Sequence, residues 1–235
     1  MSIATELNRI IQAKSDIITS LTAKGATVPS GATIDDLPDI IDDLPSGGGG
    51  DTEVLKDLIE RDITTINIPS GITSIGGSAF RNCSSLTSVT IPNTVTSIGI
   101  NAFQSCIGLT SITMGNSVTT IREYAFYGCS ALTSITIPNS VTSIEGRVFQ
   151  NCTGLTSVTI GNSVTSIANE VFRNCSSLAS VTILATTPPT LSNANTFAGN
   201  ASGRKIYVPS ASVETYKTAA NWSTYAADIE AIPSA

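Results

Sequence analysis

The chain has 235 residues, 41% hydrophobic and only 13% charged, with a net charge of −6 and no histidine. That is enough apolar material for a sizeable core in one or two domains. The negative balance argues against nucleic acid or an anionic membrane surface as a partner, and the missing histidine removes the commonest general base and metal ligand. The acidity is uneven: residues 1–62 hold twelve acids and five bases, whereas residues 63–187 hold three acids and four bases, which suggests two parts with different tasks.

In chain order, residues 1–45 predict a small helical attachment or oligomerisation module. Ile3, Leu7, Ile10, Ile11, Ile17, Ile18 and Leu21 form one apolar face of a helix over residues 3–23. Thr33 is placed to cap a second short helix from Ile34. Two such helices cannot enclose a core alone, so docking on a partner or self-association is expected to stabilise them. Asp35, Asp36, Asp39, Asp42 and Asp43 lack the spacing and central glycine of a calcium loop and read as helix-surface charge. The first eleven residues show no basic start followed by an apolar run, no stretch of about 18 apolar residues occurs, and no surface-anchoring tail is visible. Neither a classical secretory route nor membrane insertion is therefore expected. The glycines of residues 46–51 read as a flexible linker. Residues 52–62 read as an N-terminal cap helix, with Val54, Leu55, Leu58 and Ile59 on one side.

Residues 63–187 carry a 23-residue repeat. Phe80, Phe103, Phe126, Phe149 and Phe172 keep that step, as do Cys83, Cys106, Cys129, Cys152 and Cys175, and Leu86, Leu109, Leu132, Leu155 and Leu178. Within one copy, Leu132, Ile135 and Ile137 predict a short strand, Pro138-Asn139 a turn, and Val141 to Ile144 a second extended segment. Glu145 to Cys152 predicts a single helical turn that brings Phe149 inward. One copy offers too little apolar surface to offset the entropy of ordering 23 residues, so the copies must stack and share faces. Ile63, Ile66 and Ile68 begin the array. After Ile183 the period fails, with Phe197 in a displaced register. Residues 188–235 then read as a C-terminal cap closed by Tyr207, Tyr216, Trp222 and Tyr225.

The segment AFRNCSSLTSVTIPNTVTSI, Ala79 to Ile98, resembles the signature of BspA-like bacterial leucine-rich repeats, and the likeness extends over about residues 52–235. It implies an α/β leucine-rich-repeat solenoid of short strands and helical turns, here preceded by a small helical module. The family's members include adhesins and host-protein binders. Leu7, Ile10, Lys14, Ile17, Ile18, Lys24, Gly25, Val28 and Pro29, then Leu37 and Ile40, resemble a segment of bacteriophage and prophage structural proteins, tail proteins among them.

No catalytic, metal or cofactor site is expected. A 23-residue step stacks the cysteine sulfurs in a row rather than a tetrahedron, five thiols cannot all pair, and no histidine is present to activate one. Glu123, Glu145 and Glu170, with Arg122, Arg147 and Arg173 nearby, read as a solvated face. Asn-Cys-Ser/Thr at Asn82, Asn151 and Asn174 is a by-product of the repeat. The candidate binding surface is the outward side of the first strand: Thr87, Ser88, Thr90, Thr110, Ser111, Thr113, Thr133, Ser134, Thr136, Thr156, Ser157 and Thr159. Threonine favours exposed strand positions in any case, but these hydroxyls form a flat uncharged lattice suited to a glycan, a protein or, more remotely, a crystalline ligand. The expected function is a phage or prophage virion component with a tail, receptor-binding or decoration role. Its N-terminal helices would join other virion proteins or a second copy, and its solenoid would bind a host-surface glycan or protein. The alternative is a bacterial adhesion or protein-interaction module outside any virion, cytoplasmic or brought to the surface by a non-classical route.

Overall fold

The computed structural model describes residues 64–68 and 72–234, all in the second of the chain's two compact units, residues 63–235. The helical module, linker and cap helix expected before residue 63, with Ile3, Leu7, Ile10, Ile11, Ile17, Ile18 and Leu21, lie outside the described residues.

Each repeat supplies one longer and one two-residue strand. The first three pairs are β1 (Thr65–Asn67) and β2 (Ser74–Ile75), β3 (Ser88–Ile91) and β4 (Ser97–Ile98), β5 (Ser111–Met114) and β6 (Thr120–Ile121). The next three are β7 (Ser134–Ile137) and β8 (Ser143–Ile144), β9 (Ser157–Ile160) and β10 (Ser166–Ile167), β11 (Ser180–Ile183) and β12 (Thr190–Leu191). β13 (Lys205–Val208) and β14 (Ile229–Ala231) follow. All pairings are parallel, and the register advances by one repeat: Ser134 lies beside Ser157, and Ile137 beside Ile160. The two-residue strands form one continuous six-stranded sheet. The longer strands form two sheets, β1-β3-β5 and β7-β9-β11-β13-β14, so their ladder is interrupted between β5 and β7.

The alternation of β-branched and hydroxyl residues fixes which way each strand faces. In β7, Ile135 and Ile137 are buried while Ser134 and Thr136 are exposed. Leu132, Val141, Ile144, Val148, Phe149 and Cys152 complete the buried set of that repeat. The rings of Phe103, Phe126, Phe149, Phe172 and Phe197 stack at centroid spacings of 5.2, 5.4, 5.4 and 5.6 Å, within 5° of parallel. Phe197 thus continues the column despite its 25-residue step, and the parallel stack runs on past residue 187 through β13 and β14.

The expected helical turn is not formed. Between Glu145 and Cys152 the backbone makes overlapping tight turns, Gln150 N–H to the Arg147 carbonyl and Cys152 N–H to the Phe149 carbonyl, with positive φ at Arg147 (58°) and Asn151 (62°). A right-handed helical turn excludes both angles. They turn every second N–H toward the next rung: Arg147 donates to the Asn169 carbonyl, Phe149 to Val171 and Asn151 to Arg173. A helix would keep those bonds internal, whereas this geometry makes a third inter-rung ladder. The repeats are accordingly a β-solenoid, not an α/β one. Among the described residues the single α-helix is α1 (Val213–Thr218), beyond the repeats.

The C-terminal end is closed by aromatic side chains. Trp222 is buried, its indole N–H donates to the Pro189 carbonyl at 2.7 Å, and its ring meets Tyr216 edge-on at 5.1 Å. Tyr225 meets Phe197 edge-on at 5.3 Å. Arg204 lies over the same two rings and pairs with Asp228. Tyr207 does not share this task. It is half-buried on β13 beside Thr182.

Candidate binding face

All twelve hydroxyl residues singled out from the sequence are exposed or half-buried on the longer strands or the residue just before them. The register places Ser88 beside Ser111 and Thr90 beside Thr113, then Ser134 beside Ser157 and Thr136 beside Thr159, with strands about 4.8 Å apart. The hydroxyls divide into two kinds. Those of Thr87, Thr110 and Thr156 donate to the carbonyl of the preceding rung, at 2.8, 2.9 and 2.9 Å, and serve the scaffold. Ser88, Thr90, Ser111, Thr113, Thr133, Ser134, Thr136, Ser157 and Thr159 have no side-chain hydrogen bond among the described residues, which leaves these hydroxyls available to a ligand. The columns extend further than the sequence reading took them, to Ser180 and Thr182 on β11. The motif SVTI at 180–183 repeats that at 157–160 and was the signal for this. Beyond it the face changes character, to Lys205 and Tyr207 on β13 and Glu230 on β14, the lysine and glutamate paired with each other.

All five cysteine side chains are buried. They do more than fill space. Cys106, Cys129, Cys152 and Cys175 each donate an S–H to the carbonyl of the phenylalanine one rung back, at 2.9, 3.2, 3.1 and 3.0 Å. In the displaced last rung, Asn200 donates through its amide to the Phe172 carbonyl at 2.7 Å and takes over that part. Burial pushes the Cys106, Cys152 and Cys175 thiols up, away from the reactive thiolate.

Glu123, Glu170, Arg147 and Arg173 meet on the turn side, away from the strand face, while Arg122 is exposed and outside this network. Arg147 donates to Glu170 at 2.8 Å and to the Tyr124 hydroxyl at 2.8 Å, and approaches Glu123 at 3.4 Å; Arg173 also pairs with Glu170. Tyr124, Arg147 and Glu170 occupy the first of two positive-φ positions in three successive rungs, so this network ties together positions where side chains other than asparagine and glycine are least at ease. The hydrogen bond from Arg147 holds the Glu170 carboxyl below the usual carboxylate range. A carboxyl depressed in the folded state stabilises the fold above its unfolded pKa, and that contribution fades as pH falls through the folded value. Urea unfolding is therefore expected to show stability declining as pH drops from neutral through and below the carboxylate range. Glu170→Gln should flatten that decline, and an unchanged slope would show that the network is not coupled to folding.

Among the described residues, no three His, Cys, Asp or Glu side chains are grouped to hold a metal ion, and no helix is long and apolar enough to cross a membrane.

The profile of the BspA type leucine rich repeat region matches residues 59–179 in six copies, just over half of the chain. Among solved structures, the Treponema pallidum leucine rich repeat protein is 27% identical, with 62% of this chain and 73% of that one covered and a TM-score of 0.50. The pneumococcal vaccine antigen PcpA is 24% identical with a TM-score of 0.59; the match covers 73% of this chain but only 40% of that protein. A leucine-rich repeat protein from Bacteroides capillosus is 30% identical over 46% of this chain and 78% of its own, with a TM-score of 0.34. No curated protein matches the chain. These structures are bacterial leucine-rich-repeat proteins, with no phage or prophage protein among them. The family match and the Treponema structure overturn the reading as a virion component, along with its tail or decoration role, its virion location and its virion partners. The short N-terminal likeness to phage proteins finds no counterpart in these matches. The expectation of a non-enzymatic repeat scaffold agrees with the BspA-type family match.

Proposed function

Because this chain belongs to the BspA-type leucine-rich-repeat family, we propose that it is a bacterial adhesion or protein-interaction module that binds a host-surface protein or glycan on its longer-strand face. The observation that carries this reading is the set of uncommitted hydroxyls in register on β3 and β5 and again on β7 and β9, from Ser88 and Thr90 to Ser157 and Thr159, with no charge on it. A rigid array of this kind presents polar contacts at low entropic cost to a large ligand. The bacterial surface is the setting the reading requires. Residues 1–45, joined through the glycines of 46–51 and a cap over 52–62, are proposed to attach the module, with Ile3, Leu7, Ile10, Ile11, Ile17, Ile18 and Leu21 as the contact set. Residues 63–187 are the proposed array and 188–235 its proposed end cap.

Binding of the full chain to a panel of immobilised host-matrix proteins and to a glycan array tests this. Thr90→Glu with Ser157→Glu, both on the face, should weaken the best binder at least about tenfold, the scale of lost hydrogen bonds plus a buried charge. Gln104→Glu with Gln150→Glu, on the turn side, should leave it unchanged. Equal behaviour of the two variants overturns the assignment.

A further inference from the structure

The interruption between β5 and β7 is a distinct feature of the strand face. At the neighbouring rungs, Thr110 and Thr156 each donate both N–H and hydroxyl to the threonine carbonyl one rung back; Thr133 makes neither bond to Thr110. Asn116 and Asn162 donate their N–H to the asparagine side chain one rung back; Asn139 does not donate to Asn116. A cleft of about 470 Å³ opens here, lined by Ile112, Met114, Ser134, Thr136, Pro138 and Asn139 among others and reaching over the face to Thr159 and Leu184, with no charged and no aromatic residue. Ile112 and Met114 are only half-buried, whereas their counterparts Ile135 and Ile137 are buried. Behind the cleft the structure stays closed: β6 pairs with β8, and the Phe103 and Phe126 rings stack at 5.2 Å. The gap is thus a wedge, hinged at its back and open toward the binding face.

The alternation of a parallel ladder says what the two walls offer. On β3 and β7 the carbonyls of Thr87 and Ile137 point to the following rung, where Thr110 and Gly161 donate to them. By the same phase, β5 presents the carbonyls of Thr110, Ile112 and Met114 to the cleft, and β7 presents the N–H and carbonyl groups of Ser134 and Thr136. These are two strand edges facing each other, with an apolar floor between them. Edges of that kind are recognised by main chain, not by a sugar or a charged group.

We propose that the wedge receives an extended, uncharged polypeptide segment of a partner protein, which enters as an added parallel strand between β5 and β7 and widens the gap about the hinge. A guest strand needs about twice the ordinary 4.8 Å spacing between its two neighbours. This proposal rests on the reading of the longer-strand face as the binding face, and it names the partner's chemistry and the place where it docks.

The probe is a synthetic peptide copying residues 153–163, TGLTSVTIGNS, whose strand pairs on both edges in this chain, with β7 and with β11. Fluorescence anisotropy with the full chain should show saturable binding, weakened at least about tenfold when the peptide is N-methylated at the positions of Ser157 and Thr159, since its strand bonds are then blocked. Ala131→Gly with Pro138→Gly, which gives the fourth rung the two glycines of the fifth, should close the wedge and weaken peptide binding to the same degree. Hydrogen exchange supplies a readout without the peptide: the Ser134 and Thr136 amides should exchange faster than those of Ser157 and Thr159 in the free chain, and slow down on adding it. The proposal is overturned by equal protection of the four amides, by undiminished binding of the methylated peptide, or by a dimer that forms through this edge and excludes the peptide. Thr90→Glu with Ser157→Glu lies outside the cleft. If that variant loses the host ligand while no variant alters peptide binding, the wedge fails and the face stands.

Discussion

Phe149→Ala is expected to destabilise the chain by about 3–5 kcal/mol, the range for emptying a fully buried phenylalanine site. Phe149 has no exposed surface, and its ring lies between those of Phe126 and Phe172 at 5.4 Å on each side. Truncation removes two stacked contacts, each worth about 0.5–1.5 kcal/mol beyond area alone. The backbone on either side is tied into the inter-rung ladder through the Phe149 N–H and the Cys152 thiol, so collapse into the hole is resisted. Among the described residues Phe80 has a single ring partner in the column, Phe103 at 5.0 Å, and is itself only half-buried. Phe80→Ala should therefore cost roughly half as much, in keeping with a stack whose stability is a sum of neighbour terms. Equilibrium urea unfolding of both variants checks this, and equal losses would show that the column is not what binds the rungs together.

The columns were legible because a fixed period converts directly into stacking: once Phe, Cys and Leu recur at one step, parallel strands and a shared core follow. The path of the backbone between Glu145 and Cys152 was not legible. The sign of φ leaves its trace in residue type only where asparagine or glycine occupies the position, as at Asn82, Asn101, Gly128, Asn151 and Asn174. At Tyr124, Arg147 and Glu170 the same conformation is hidden behind side chains that usually avoid it, so apolar spacing alone suggested a helical turn. The cysteine column was read as small buried bulk. Its role as donor to the phenylalanine carbonyls depends on a depth and direction that spacing does not encode, although Asn200, two residues out of step, was a hint that a donor is required there.

The strand face was legible in composition and not in continuity. The repeats look nearly interchangeable, yet they differ at two places that bear directly on how closely one strand can lie on the next. A Cβ at Gly108 would sit 2.3 Å from the Ser84 carbonyl oxygen, and one at Gly115 would sit 2.5 Å from that of Pro92. The third rung, which has both glycines, pairs with the second over four residues. The fourth rung has Ala131 and Pro138 in those positions, and there the ladder opens. Functional setting lay beyond the reach of the residues: a short likeness in the first 45 pulled the reading toward a virion, against the family that more than half of the chain carries.

Gly161→Pro should open a second wedge, between β7 and β9, and destabilise the chain by about 3 kcal/mol through a lost ladder bond and overpacking against fixed backbone. Gly161 N–H donates to the Ile137 carbonyl at 2.9 Å, and a Cβ at this position would lie 2.6 Å from the Pro138 carbonyl oxygen. Bulk alone does not decide the outcome. The sixth rung has Ser177 and Leu184 in the two positions and stays paired with β9, with Leu184 N–H bonded to the Ile160 carbonyl. What proline adds is the missing donor. At Pro92, too, the strand pairs with β1 over three residues rather than four. Gly161→Leu, which keeps the N–H, should therefore be accommodated at smaller cost and with the Ser157 and Thr159 amides still protected, whereas Gly161→Pro should expose both to exchange. If the leucine and proline variants open the ladder equally, steric bulk rather than the lost donor sets the seam, and the native wedge must be traced to the bulk of Ala131 and Pro138 together.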